Sequence, residues 1–313
     1  MNSFEVVTRV SIVQHSNYKF IFLAVIAAAS FGSVAAFARY AQMPAEHITF
    51  YRLFLGAFFM LIYMMTMRKG EKIIHKPKAR TVVNGLTLAG FMFFYIQAMN
   101  YTDMANVIMI IYLAPLVCAV YAHFFFNEKL RIENIVVIAT ALFGFCMMME
   151  FTLDFSDRED EIYGIFYSLL SLVAYSAFML LNRKPSSDSP YQSTLVQLSV
   201  GALCILPFVL STPQIPSLDQ TFWLIAIGLI SGFFATMCAV QALRNLPSVT
   251  YGTLAYVEAI VVVGLGWVLF SESLNALQIS GCIFIILSGM TQGYLSQRQQ
   301  VSASPKLKVI VES

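Results

Sequence analysis

The sequence predicts an all-α integral membrane protein, with ten transmembrane helices arranged as two inverted five-helix repeats. An apolar composition, ten apolar runs of membrane length and the placement of the basic residues predict it. Hydrophobic residues make up 58% of the 313 positions and charged ones 12%. An ordinary soluble domain carries roughly 25% charge, and a soluble chain could not bury this much apolar surface around one core. The net charge of +2 gives no bulk attraction to nucleic acid.

A spanning helix needs about 20 apolar residues. Such runs lie at 19–39, 48–67, 82–101, 104–126, 132–150, 162–182, 192–210, 221–243, 249–270 and 277–295. The first is longer than the apolar core of a signal peptide and is expected to be retained. The five cysteines, Cys118, Cys146, Cys204, Cys238 and Cys282, all fall inside apolar runs without a CxxC pair. They read as small buried residues.

The Lys and Arg residues sort by side. Arg9, Lys19, Arg68, Lys69, Lys72, Lys76, Lys78, Arg80, Lys129, Arg131, Arg183, Lys184, Arg244, Arg298, Lys306 and Lys308 share one side if ten spans cross. The other side holds Arg39 and Arg158 with Asp154, Asp157, Glu159, Asp160 and Glu161. By the positive-inside rule both termini are cytoplasmic, in a cell membrane. An odd number of spans would scramble this pattern.

Shifting the chain by about 144 residues superimposes the halves weakly. Arg39 meets Arg183, and Gln97-Ala98 meets Gln241-Ala242. Tyr112, Val117, Phe126, Glu128 and Leu130 meet Tyr256, Val261, Phe270, Glu272 and Leu274. With one more residue of shift, Thr49, Leu53, Gly56, Ala57 and Leu61 meet Thr194, Leu198, Gly201, Ala202 and Leu206. Five spans per half means the second half enters the membrane from the opposite side. Inverted repeats characterise secondary transporters, because exchanging the two conformations moves a central site from one face to the other. The chain therefore divides into a cytoplasmic segment 1–18, repeats at 19–150 and 151–295, and a disordered cytoplasmic tail, 296–313.

Several stretches carry a family likeness. They are Arg52-Leu53-Phe54-Leu55-Gly56-Ala57, Tyr112-Leu113-Ala114-Pro115, Glu128-Lys129-Leu130 and its echo Glu272-Ser273-Leu274. In order and spacing they resemble the drug/metabolite transporter superfamily, in its EamA-like family, over about Tyr18 to Tyr294. The second half departs from the pattern. It has Tyr256-Val257-Glu258-Ala259, so the proline is lost and an acid sits one residue before its place. The resemblance implies a central cavity lined by helices one, three, four, six, eight and nine. Helices five and ten would be peripheral, offering contacts for a homodimer. It also implies a small-molecule substrate, usually an exported amino acid, metabolite or drug and sometimes an imported vitamin or cofactor.

The candidate substrate-binding or coupling residues follow from depth. Glu258 lies about nine residues into the ninth run. An ionised acid there costs several kcal/mol unless paired or hydrated, so it should face a cavity or a partner. It suits proton coupling or a substrate amine; a structural acid bonded to a neighbouring helix is the alternative. Arg52 is the other deep charge. It suits a substrate carboxylate, although snorkelling or a structural ion pair fits as well, and Gln197 stands at its counterpart position. Tyr112 and Tyr256 are related by the repeat. Tyr95, Gln97, Asn106 and Gln241 are further polar groups on cavity helices, each also readable as an interhelical hydrogen bond. Pro115 removes a backbone bond and kinks helix four as a hinge or as static geometry. Gly228 and Gly232 form a GxxxG packing motif, and Glu128 and Glu272 cap or gate helix ends.

The four histidines are scattered and imply no metal site. There is no GxxxxGK[ST] phosphate loop, and no cofactor is expected. The function expected is secondary transport, probing three readings in order: export of amino-acid-like or other small organic metabolites by alternating access, with proton coupling; import of an aromatic vitamin or cofactor such as a flavin; and a membrane-embedded enzyme or receptor. An intramembrane enzyme would need paired catalytic groups at depth, and no nucleophile motif accompanies Glu258 and Arg52.

Overall fold

The computed structural model describes residues 3–67, 77–102, 104–126, 128, 130–151, 161–184 and 188–303. Most of the basic loop from Arg68, the acidic loop from Asp154, Asn127, Lys129 and the end of the tail lie outside the described residues.

Among the described residues ten helical segments follow one another. They are α1 Ser3–Ala41, α2 Ala45–Met67, α3 Ala79–Met99, α4 in halves α4a Met104–Ile111 and α4b Ala114–Phe125, and α5 Ile132–Met148. In the second half come α6 Glu161–Arg183, α7 Pro190–Ser211 and α8, which runs Leu218–Ile227, Gly228–Ala235 and Thr236–Asn245. Then follow α9 in halves α9a Ser248–Ala255 and α9b Val257–Phe270, and α10 Ala276–Ala303. Among the described residues nine segments are long and apolar enough to cross a membrane; α5, at 17 residues, is the shorter tenth. It stops at Met148, earlier than the sequence pattern implies, because Glu150 and Phe151 turn left-handed at φ 56° and 52°. The Phe151 N–H then reaches back to the Cys146 carbonyl at 3.0 Å, which closes the helix end. At the other terminus α10 continues to Ala303, so residues 296–303 are helical where the sequence reading expected disorder.

The helix pairing obeys the inverted repeat. The α1–α8 contact mirrors α6–α3, α2–α8 mirrors α7–α3, and α1–α9 mirrors α6–α4. The pairs α2–α7, α4–α9 and α5–α10 each join a helix to its own counterpart. A two-fold axis in the membrane plane requires this pattern. One face of the bundle, called here the near face, holds the start of the Tyr18–Ala41 span and the ends of α2, α4, α6, α8 and α10. The far face holds the other ends.

Close approach depends on glycine. The Gly228–Ala235 segment of α8 is a π-helix, a wider turn that often marks functional sites. It presses Gly232 against α2: a Cβ built on Gly56 would lie 2.7 Å from the Gly232 carbonyl carbon. One built on Gly232 would collide with the Arg52 carbonyl oxygen. The GxxxG motif thus serves packing, and it sets the depth of Arg52. Gly232→Ala should cost about 1–3 kcal/mol and lower the thermal unfolding midpoint in detergent. Gly264→Ala, with nothing within 4 Å of its Cβ, should leave it unchanged. Equal midpoints would contradict this packing.

Candidate substrate site and its gates

The site begins at a broken helix. Pro115 has no N–H for the Ile111 carbonyl, and α4 breaks over Tyr112-Leu113. The Leu116 N–H shifts to the Leu113 carbonyl at 3.0 Å, which deprives the Tyr112 carbonyl of its helical donor. The Tyr256 hydroxyl replaces that donor at 2.7 Å. The α9 helix breaks at the matching place, Tyr256, without a proline: the Ala259 N–H bonds the Tyr256 carbonyl at 3.1 Å, in a tighter turn. Tyr112, Tyr256 and Phe145 form one aromatic cluster, with Tyr112 stacked on Phe145 at 4.3 Å and 5.6 Å from Tyr256. Tyr256 is fully buried, so it anchors the break, and only Tyr112 keeps partial exposure.

Glu258 follows this break at the head of α9b. It lies within electrostatic reach of Arg52, Tyr95, Tyr112, Tyr175 and Tyr251. These residues come from α2, α3, α4, α6 and α9a. Arg52, Tyr112, Tyr175 and Glu258 are each partly accessible although they stand at mid-depth, and so is Tyr95, about a turn from the end of α3. The Arg52 guanidinium lies 5.1 Å from the centre of the Phe31 ring, a cation–π distance. The Phe91 and Tyr175 rings stack at 4.6 Å along one wall.

The remaining candidates stand elsewhere. Asn106 donates to Thr102 at 3.1 Å and reaches Glu161 at 3.5 Å, tying α4 to α6 at the far face. Gln97 and Gln241 sit within about a turn of helix ends. Neither makes a side-chain hydrogen bond among the described residues. Three residues of the cluster were not singled out from sequence: Phe31, Tyr175 and Tyr251. The signal for two of them was present. Phe31 and Tyr175 are 144 positions apart and are therefore counterparts in α1 and α6, but an aromatic pair in an aromatic-rich chain does not stand out.

The faces on either side of this cluster differ. At the near face, Glu128 accepts from Arg183 Nε at 2.7 Å and from the Ser248 N–H at 2.9 Å, which joins α4, α6 and α9. Arg183 also donates to the Arg244 carbonyl at 3.3 Å. Arg244 donates to the Asp188 carbonyl at 2.7 Å and to Ser193 Oγ. Ser248 to Leu254 of α9a are all buried, packed along α4b. A Cβ on Gly252 would lie 2.6 Å from the Pro115 Cβ. At the far face the counterpart pair, Arg39 with Glu272, also forms, and Arg39 covers the Phe270 ring at 4.1 Å. Among the described residues Glu272 bonds no second helix start. The far pair is 55% and 51% exposed, against 26% and 16% for Arg183 and Glu128. α4a and α9b share no contact comparable to that of α4b with α9a. The near face is thus sealed and the far face is the looser one.

The chain matches the EamA-like transporter family over residues 18–149 and again over 162–290, once per repeat. It belongs to the EamA-like transporter family. It is 22% identical over 271 residues to the pseudopaline exporter CntI of Pseudomonas aeruginosa (strain UCBPP-PA14), covering 86% of this chain and 93% of that one. It is 20% identical over 247 residues to the S-adenosylmethionine uptake transporter of Rickettsia prowazekii (strain Madrid E), covering 78% and 81%. A solved crystal structure shares the fold, with a TM-score of 0.80 at 18% identity over 89% of this chain and 97% of that one. This EamA-like chain is a secondary transporter of small metabolites, built as two repeats in the membrane.

The unequal ion pairs predict unequal mutants. Glu128→Gln should lengthen and broaden spin-label distances between the near ends of α4 and α9, because an amide holds Arg183 and the Ser248 N–H less strongly. Glu272→Gln should change the corresponding far-face distances little, since exposed pairs contribute only about 0–1 kcal/mol. Equal responses would refute the latch at the near face.

Proposed function

We propose that this protein exports small organic metabolites of amino-acid-like size by alternating access, with its near face and both termini in the cytoplasm of a cell membrane. The observation that carries the proposal is the deep Glu258–Arg52 cluster between a sealed near face and a looser far face. A transporter needs one central site and two faces that seal in turn. The inverted pairing of the helices supplies a matching ion pair on each face, Arg183 with Glu128 and Arg39 with Glu272. The orientation rests on charge: the near helix ends carry Lys19, Lys78, Arg80, Arg131, Arg183, Lys184 and Arg244, and the far ends carry Arg39. The export direction follows the pseudopaline exporter, whose likeness covers more of both chains than that of the uptake transporter.

The aromatic wall of Phe31, Tyr95, Tyr112 and Tyr175 favours one other reading, import of an aromatic vitamin or flavin-like solute. Glu258 is the group placed to carry a proton or a cationic group across.

Purified protein in liposomes, given labelled amino acids, small metabolites and vitamins, tests the proposal. Accumulation driven by a proton gradient, reduced at least tenfold in Glu258→Gln with its pH dependence flattened, is the expected result. Accumulation unchanged in that variant would remove Glu258 from the cycle. Single cysteines replacing Lys184 and Arg39, in a chain cleared of native cysteines, test the orientation. Impermeant reagent added to intact cells should label only position 39.

A further inference from the structure

The near ends of α3, α6, α7 and α8 meet around a second space. It is a cleft lined by Arg80 and Asn84 of α3, Lys184 just past α6, Ser193 of α7 and Arg244 of α8. The Asn182–Gln197 amide pair, bonded at 3.0 Å, stands beside them. The cleft shares no residue with the Glu258 cluster. Its atom-free volume, mouth included, is about 220 Å³, of which about 10 Å³ admits the centre of a water-sized group. That is room for one oxygen atom between the walls.

Three cations line this cleft, and two of them are anchored on neutral groups. Arg80 donates to the Leu181 carbonyl and to the Lys184 carbonyl, the latter at 3.1 Å. Arg244 donates to the Asp188 carbonyl at 2.7 Å and to Ser193 Oγ. Carbonyls and a hydroxyl fix a guanidinium in place but carry no charge to balance it. Arg244 Nε is buried and has no acceptor among the described residues. The Lys184 side chain is exposed and makes no bond among them. One carboxylate, Asp188, lies within electrostatic reach of Arg244, and so does Arg80, whose like charge works against it. Asp188 does not line the cleft. Its Oδ2 accepts from the Thr81 hydroxyl and from the Lys78 N–H at 3.4 Å.

The repeat shows that this junction does not need the charges. Shifted by 144 positions, Arg80, Lys184 and Arg244 meet Leu224, Tyr40 and Asn100, and Asp188 meets Pro44. The matching helix ends come together at the far face with a neutral residue at each of these places. The positive-inside rule asks for basic residues on one side, and basic residues spread over the loops would satisfy it. Their convergence on one cleft, beside a buried N–H without an acceptor, is a feature that the rule leaves unexplained.

We propose that this cleft binds a phosphate anion, with one oxygen seated between Arg80 and Arg244 and the rest of the group at the mouth beside Lys184. The seated oxygen accepts from Arg244 Nε and supplies the missing partner. Guanidinium groups suit phosphate, whose oxygens take their N–H donors in parallel. Basic pockets between spanning helices on the cytoplasmic side bind anionic lipid headgroups, and free phosphate offers the same chemistry. The bound anion links the near ends of α3, α6 and α8, so it strengthens the closure of the near face.

The purified full chain tests the proposal in two arms that separate the sources. In the first, inorganic phosphate is titrated in detergent against chloride at equal ionic strength, and the thermal unfolding midpoint is read. In the second, an equimolar mixture of phosphatidylglycerol and phosphatidylcholine is offered, and the lipid retained is read by native mass spectrometry. A free-phosphate site raises the midpoint in the first arm, and a headgroup site retains phosphatidylglycerol in the second. Lys184→Gln and Arg244→Gln should each weaken the response by about fivefold, the contribution of one basic side chain near an anionic surface. Arg131→Gln, which removes an exposed near-face cation outside the cleft, should leave it unchanged. Arg244 also holds helix ends together, so Lys184→Gln, which breaks no described bond, decides the matter if Arg244→Gln does not fold. No response in either arm overturns the proposal and leaves the cleft to water. A response that survives Lys184→Gln overturns it as well. So does an equal loss in Arg131→Gln, because bulk charge would then account for the binding.

Discussion

In hydrocarbon, a backbone N–H or C=O has no water to turn to, so each break in a spanning helix must be answered by protein. This constraint organises the centre of the bundle. Pro115 opens α4, and the freed Tyr112 carbonyl takes its proton donor from the Tyr256 hydroxyl at 2.7 Å. That hydroxyl is in place because α9 breaks at Tyr256 as well. The two breaks are therefore tied to each other, and Glu258 stands at the head of α9b directly after one of them. The fully buried Tyr256 is a structural pin, and the neighbouring Tyr112 faces both the pin and the interior space.

The same inverted symmetry that pairs the breaks also pairs the ends. Arg183 with Glu128 and Arg39 with Glu272 are one interaction written twice, on opposite faces. The copies differ in what else they hold. Glu128 also caps the start of α9a through the Ser248 N–H, where a carboxylate is favoured by the helix dipole. Among the described residues Glu272 has no such second bond. One sequence unit thus yields a sealed face and a looser face at the same time, and exchanging the two arrangements requires no new contact types.

Much of the fold was legible in the sequence. Hydrophobic run length identified the spans, since crossing a bilayer demands length and apolarity before anything else. The counterpart residues Arg39 and Arg183, Glu128 and Glu272, and Tyr112 and Tyr256 disclosed the repeat. What they touch was hidden, because each ion pair joins one repeat to the other and no local spacing records that. Asn106 and Tyr256 illustrate the limit: both are polar groups on cavity helices, yet one ties helices at the far face and the other supports a helix break. The tail misled in the opposite way. Its polarity after Tyr294 reads as disorder, but helical hydrogen bonds continue to Ala303.

By itself the sequence determined that this chain lives in a membrane, crosses it about ten times, and is built from a duplicated unit running in opposite senses. These follow from one-dimensional quantities, run length and charge placement, which the bilayer reads directly. Only the tertiary structure decided that Arg52 and Glu258 come within electrostatic reach without forming an ion pair, that Phe31 and Tyr175 stand beside them, and that one face is the more tightly closed. Those facts depend on where Gly232 lets α2 and α8 meet and where two helix breaks coincide, which is geometry between segments far apart in the chain.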